Sequence, residues 1–136
     1  MSLSTDLAKI AARNKQKLLK VAQNSLMRVG GSIIAKSPVD SGRFKNNWLA
    51  AYGAPDTSTT ENVAKTSIGE GRGAVYERYK AKLSGLADGQ VFYFTNSLPY
   101  AERLEYGWSE QAPAGMVRLS VANWQSIVAE EVARVK

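Results

Sequence analysis

The stretch AKSPVDSGRFKNNW, residues 35–48, sets a proline, an aspartate, a glycine and an arginine between a helical pattern upstream and an aromatic anchor downstream. Pro38 drives Ser37 out of helical geometry, because the proline ring crowds the backbone of the residue before it. Asp40 can then accept backbone N–H groups as the cap of a new short helix, and Gly42 permits a close approach or an unusual backbone angle. Arg43 follows Asp40 by three positions, within reach of an ion pair across the turn. Phe44 and Trp48, at i and i+4, present one apolar face that can dock the segment on a sheet. The stretch therefore reads as a corner, and capping explains its residues without any chemistry.

Upstream of the corner the pattern is helical. Ser4 or Thr5 can cap a first helix, with Asp6 in its first turn, where negative charge complements the helix dipole. At 100° per residue, Leu7, Ile10, Ala11, Leu18, Val21, Ala22 and Val29 fall on one face, while Lys9, Arg13, Lys17 and Lys20 cluster on the other. Gly30-Gly31 either kinks or ends this helix, or the helix carries on to Lys36. Stopping at Val29 gives about 37 Å of helix and reaching Lys36 gives about 48 Å, against a diameter of about 37 Å for a compact chain of this length. The longer version overhangs its own domain and would pack in part against another subunit.

Downstream, Trp48 to Tyr52 reads as a strand ended by Gly53 and Pro55. Residues 54–73 are polar and glycine-rich, a long mobile loop with room for a short strand at Val63 to Ile68. Ala74 to Leu83 suits a short helix, and Gln90 to Asn96 is the densest run of aromatic and β-branched residues, hence a strand. Pro99 fits a first helical position, with Gly107 as the stop. Pro113 opens a last helix to about Val135, along which Val117, Val121, Trp124, Val128, Val132 and Val135 form a stripe destined for the core or a subunit interface. The expected fold is α+β: a long N-terminal helix, a small antiparallel sheet with a long loop insertion, and a C-terminal helix packed on the sheet, in one domain spanning 1–136.

Composition narrows function. The 136 residues, 44% hydrophobic and 22% charged, contain neither cysteine nor histidine. That excludes thiol nucleophiles, disulfides, Ser-His-Asp arrangements and cysteine/histidine zinc sites, and it removes the side chain best suited to proton transfer near neutral pH. No enzymatic activity and no cofactor are expected. The N-terminal residues lack the apolar core of a signal peptide, and no apolar tract reaches membrane-spanning length, so synthesis in the cytoplasm and no membrane partner are expected. The net charge of +6 is uneven: residues 1–53 carry +7, 54–98 are neutral and 99–136 carry −1. The face of Lys9, Arg13, Lys17 and Lys20 can be solvated, meet an acidic protein surface or touch nucleic acid. Glu102 and Glu105 share a helical face but lack the further oxygen ligands that a hard cation wants, and a solvated or interface-paired face explains them better. GEGRG at 69–73 lacks the lysine-hydroxyl ending of a phosphate loop.

The corner also carries a resemblance. SPVDSGRFKNNW is similar to the P-V-D-[ST]-G signature of the neck and tail-completion proteins of long-tailed bacteriophages, a family that includes minor tail protein Z-like members. YFTNSLPYAERLEYGW, residues 93–108, resembles the family's second motif, a strand ending in asparagine, a Tyr-Ala pair and an E-[YF]-G turn. The run Ala112-Pro113-Ala114-Gly115-Met116 departs from the family, which often has an aromatic residue after the proline. The resemblance implies a non-enzymatic virion protein, made in the bacterial host cytoplasm, that forms a six-subunit ring in the neck. Its neighbours would be the head-completion or connector proteins and the tail-terminator or tail-tube proteins, with non-specific contact to genomic DNA in the lumen. It marks Pro38, Val39, Asp40, Gly42 and Arg43, together with Trp48, Tyr100, Ala101, Glu105, Tyr106 and Gly107, as fold or ring-contact residues. The alternative from another class is a small basic nucleic-acid-binding module; a carboxylate hydrolase built on Glu102 and Glu105 comes last.

Overall fold

The computed structural model describes residues 3–39, 42–61 and 73–135. Its elements, in chain order, are α1 (Leu3–Lys36), α2 (Arg43–Asn46), β1 (Leu49–Tyr52), α3 (Ala74–Leu83), β2 (Phe92–Thr95), α4 (Ala101–Glu105), α5 (Val117–Val121) and α6 (Trp124–Arg134). β1 and β2 pair antiparallel, Leu49 opposite Thr95 and Tyr52 opposite Phe92. The fold is mixed α+β and mostly helical, with the long N-terminal helix, two-stranded sheet and C-terminal helix expected of the sequence.

α1 continues through Gly30-Gly31 for 34 residues, about 51 Å. Two glycines in a helix interior cost about 1 kcal/mol each relative to alanine, and here they make room for packing. The Tyr79 ring of α3 lies so close to Gly30 that a Cβ there would overlap it, and Tyr76 sits 3.2 Å from the corresponding position on Gly31. The Tyr79 hydroxyl donates to the Leu26 carbonyl, and burial pushes the phenol's pKa up. The glycine pair is thus a notch in α1 that receives α3.

Ile33 and Ile34 are both buried, about 100° apart around α1, and enter different clusters. Ile33 belongs to a cluster with Val29, Phe44, Trp48, Met116 and Ile127. Ile34 belongs to a second one with Val75, Tyr79, Leu83 and Leu86. Phe94 of β2 touches both clusters. Rings join them in series, Trp48 stacked on Phe94 at 5.0 Å between centroids and Phe94 against Tyr79 at 4.6 Å. A two-stranded ribbon is marginal by itself; here its aromatic side chains are clasped by α1 and α3.

The C-terminal segment departs from expectation. Pro113 does not open a helix: residues 113–116 are turn, α5 starts at Val117, and the chain breaks again at Ala122-Asn123 before α6. α6 takes its main contact from α1 rather than from the sheet, reaching the sheet-side cluster through Ile127. The broken helix also changes its inner face. Val121 and Val132 are each 49% exposed and Trp124 is exposed, while Ser120, Ile127 and Glu131 are buried. The expected stripe is therefore split: Val117 packs on the core cluster and Val128 and Val135 are half-buried, while Val121, Trp124 and Val132 face outward. The inner line is set by polar partners on α1, where Ser32 meets Ser120 at 2.8 Å and Arg28 meets Glu131 at 3.1 Å.

Of the expected mobile loop, residues 54–61 are irregular but tied down. Asn47 exchanges two hydrogen bonds with the Thr60 backbone, 2.8 and 3.0 Å, and Thr95 Oγ1 donates to the Asp56 carbonyl at 2.8 Å. The strand expected at Val63 to Ile68 lies outside the described residues, as does GEGRG up to Arg72.

The notch makes a sharp test. Gly30→Ala, stabilising by about 1 kcal/mol in an open helix, should here destabilise by about 1–3 kcal/mol through overpacking. Urea unfolding of Gly30→Ala alone and combined with Tyr79→Ala checks this, and the alanine penalty should vanish in the Tyr79→Ala background.

Candidate assembly surface

The corner is built around the end of α1. The Ser37 hydroxyl donates to the Ile33 carbonyl at 2.7 Å and accepts the Trp48 indole N–H at 2.8 Å. Proline at 38 has no N–H to continue the helix, and Ser37 N–H closes the final turn on Ile34 at 3.2 Å. Trp48, Pro38 and Phe44 are buried as an anchor should be. Asp40 and its expected bond to Arg43 lie outside the described residues. The N-cap position of α2 is Gly42: its φ of 93° is in the left-handed region open to glycine, and its carbonyl accepts from Asn46 N and Nδ2 at 3.1 and 2.8 Å. Arg43 pairs with Glu61 at 2.9 Å. Across the corner, the Gln111 side chain grips the Val39 backbone twice, accepting at 2.7 Å and donating at 3.1 Å.

The second motif is also architectural. Tyr100 lies against Phe44 at 6.1 Å. Glu105 reaches across the turn to the start of α5, where Oε1 accepts the N–H groups of Met116 and Val117 at 2.8 Å each. Its Oε2 accepts Arg118 N–H and Nε at 3.1 Å. Burial disfavours the charged form most strongly of any single influence, but the three backbone donors and the Arg118 guanidinium together outweigh it, and the pKa is lowered. Gly107, with φ 90°, and Gly115, with φ 87°, let the two arms of the turn close: a Cβ on Gly107 would stand 2.5 Å from the Pro113 carbonyl. Tyr106 and Trp108 instead face outward, 62% and 72% exposed, each covered on one side by arginine: Arg118 at 4.7 Å and Arg103 at 5.1 Å from the ring centres.

Among the described residues, besides outward Tyr106 and Trp108, three further surfaces are open to a partner. The first is the N-terminal part of α1, where residues 7–18 are all exposed, Leu18 at 68%, and Leu7 and Ile10 share its side of the helix. Lys15 meets Asp88 at 3.5 Å near the point where α1 leaves the body, so about 12 residues, roughly 18 Å, project beyond it. The second is the outward stripe of Val121, Trp124 and Val132. The third is the basic face, since Lys9, Arg13, Lys17 and Lys20 are all exposed. Arg28, farther along α1, bonds Glu130 at 2.8 Å, and this hydrogen bond is the main reason its pKa is raised.

No helix among the described residues is long and apolar enough to cross a membrane, and among them no group of three or more acidic, histidine or cysteine side chains gathers as a metal cluster. Glu102 and Glu105 do not form a carboxylate pair: Glu102 is exposed while Glu105 is spent on α5. Comparison of the chain with protein-family models, curated proteins and solved structures gave no match. Ser37, Gln111, Asn47 and the Arg28–Glu131 pair escaped sequence reading. Only Ser37 carried a local signal, a hydroxyl just before the proline that ends a helix.

The lowered pKa of Glu105 fixes a sign. Its stabilising contribution is complete above the ordinary value of 4.5 and is lost as pH falls through the depressed folded value. Glu105→Gln should therefore destabilise by about 1–3 kcal/mol at neutral pH, and the gap between the two urea midpoints should shrink as pH is lowered below 4.5.

Proposed function

We propose that the protein is a structural virion component that assembles side by side into a ring of six subunits in the neck of a long-tailed bacteriophage, joining the head connector to the tail. The observation that carries this reading is the inverted C-terminal segment. A chain that buries Ser120 and Glu131 while exposing Val121 and Val132 leaves apolar side chains uncovered by its own core, which suits burial against another protein. The projecting end of α1, with Leu7, Ile10 and Leu18 exposed, is a second unmatched apolar face at a different place on the same chain. Two different faces that join from copy to copy make a head-to-tail contact, and such a contact closes into a ring when the rotation permits. The resemblance of the SPVDSGR and LPYAERLEYG motifs to neck and tail-completion proteins supplies the setting. Head-completion and tail-terminator proteins are then the neighbours, and the genome passes through the lumen without sequence-specific contact.

Native mass spectrometry across a concentration series, with cryo-electron microscopy of assembled particles, tests this. Ring-sized species and density at the head-to-tail junction are expected; a monomer at every concentration together with density elsewhere in the particle defeats the reading. Ile10→Asp and Val132→Asp should each abolish rings without lowering the unfolding midpoint. Mixed in equal amounts, the two variants retain one intact pair of faces between them, so heterodimers and nothing larger should form.

The exposure of Lys9, Arg13, Lys17 and Lys20 along one side of α1 favours a second reading, a basic nucleic-acid-binding module. Duplex binding that falls steeply with salt, and is lost when these four are changed to glutamine in a protein that never forms rings, would favour it over the first.

A further inference from the structure

We propose that the groove between α1 and α6 is a docking site for an acidic amphipathic helix of another protein. The two helices run antiparallel: Arg28 meets Glu131 near the start of the contact, and Lys20 lies beside Arg134 and Val135 at its end. Between them runs an open concavity of about 640 Å³, lined by Lys20, Asn24, Met27, Arg28, Arg134 and Val135, with Glu131 beneath.

The charge of this lining is one-sided. Among the described residues of the lining Glu131 is the only carboxylate; its side chain is 3% exposed and already bonded to both Arg28 and Arg134 at 3.1 Å, and Arg28 is further paired with Glu130 at 2.8 Å, which leaves Lys20 and Arg134 as the cations open to a partner. The Arg134 side chain is 68% exposed and Lys20 is exposed, so their remaining donors face an incoming partner. The track continues beyond the groove. Arg13, Lys17, Lys20, Asn24 and Met27 fall within about 80° of one another around α1, a strip of roughly 21 Å, or about four helical turns.

The apolar side chains decide between kinds of anion. Met27, an adaptable thioether side chain, and Val135 give the lining an apolar part that a phosphodiester backbone has nothing to cover. Among the described residues no aromatic side chain lines the groove to offer a platform on which bases could stack. A third helix laid along two others buries such a surface with its apolar face while its flanking carboxylates meet the cations. The projecting end of α1 from a second copy is disfavoured here, because it carries the same positive charge as the groove. On α6, Val132 and Arg134 lie about 160° apart, so the cationic wall of the groove faces away from Val132, with Val135 between the two sites.

The full-length chain should bind a synthetic four-turn helical peptide with leucines on one face and glutamates beside them, measured by fluorescence anisotropy. The peptide with glutamine for glutamate should bind about tenfold more weakly. Lys20→Gln combined with Arg134→Gln should cost a similar factor and weaken the salt dependence. Met27→Asp should reduce binding, while Val121→Asp, on the outward face of α5 away from the groove, should leave it unchanged. Absence of peptide binding overturns the proposal, as does equal binding of the glutamine peptide. Tight binding of a duplex oligonucleotide that depends on Lys20 and Arg134 but not on Met27 would overturn it in favour of a phosphate track.

Discussion

One hydroxyl joins the two halves of this protein. Ser37 closes the last turn of α1 with one hydrogen bond and receives the Trp48 indole with another, all in a buried setting. Through Trp48 the same group orients β1 and its stack on Phe94. An unmade bond in such a place costs the whole desolvation of the group left behind, so the direction in which α1 leaves the body follows from this one contact. Gly42, Asn46 and Asn47 then turn the chain, and Gln111 clamps the corner from outside.

The two recognisable motifs therefore meet as one structural unit. Tyr100 packs on Phe44, Asn96 Nδ2 donates to the Phe44 carbonyl at 2.9 Å, and Gln111 holds Val39. Glu105 extends the unit by organising the first turn of α5 from eleven residues away. Such a unit positions surfaces rather than reacting groups. Glu105, Arg43, Arg103 and Arg118 are taken up by capping, stacking and ion pairing, and Glu102, Tyr106 and Trp108 are left facing outward.

How far the sequence announced this can be followed residue by residue. Helix α3 and both strands are legible because local periodicity and β-branched content decide them, and Pro38 marks the end of α1 by sterics alone. Whether Gly30-Gly31 breaks the helix is not a local property, since the answer is the Tyr79 ring 49 positions later. The valine stripe misleads for a related reason. Periodicity reports which residues are oily, but Ser32 and Arg28 select the face of α5 and α6 that turns inward. Gly42 occupies the N-cap position of α2 with a left-handed backbone, a conformation open to glycine, and its carbonyl serves two donors from Asn46, while the aspartate expected to cap this helix lies outside the described residues. Among the site residues, Trp48 and Tyr100 show their packing role in their chemistry alone. The role of Glu105 needs the three-dimensional neighbour.

The two flanks of α1 are held by different forces, and this has a thermodynamic consequence. Toward α3 the joint is hydrocarbon and aromatic ring, a type of cohesion that fades on cooling. Toward α6 much of it is guanidinium and carboxylate, with Arg28 and Glu130 partly open to water, and added electrolyte attenuates such attraction. Cold loosens one shoulder of the helix and brine the other, giving a single rod two independent ways to release its neighbours.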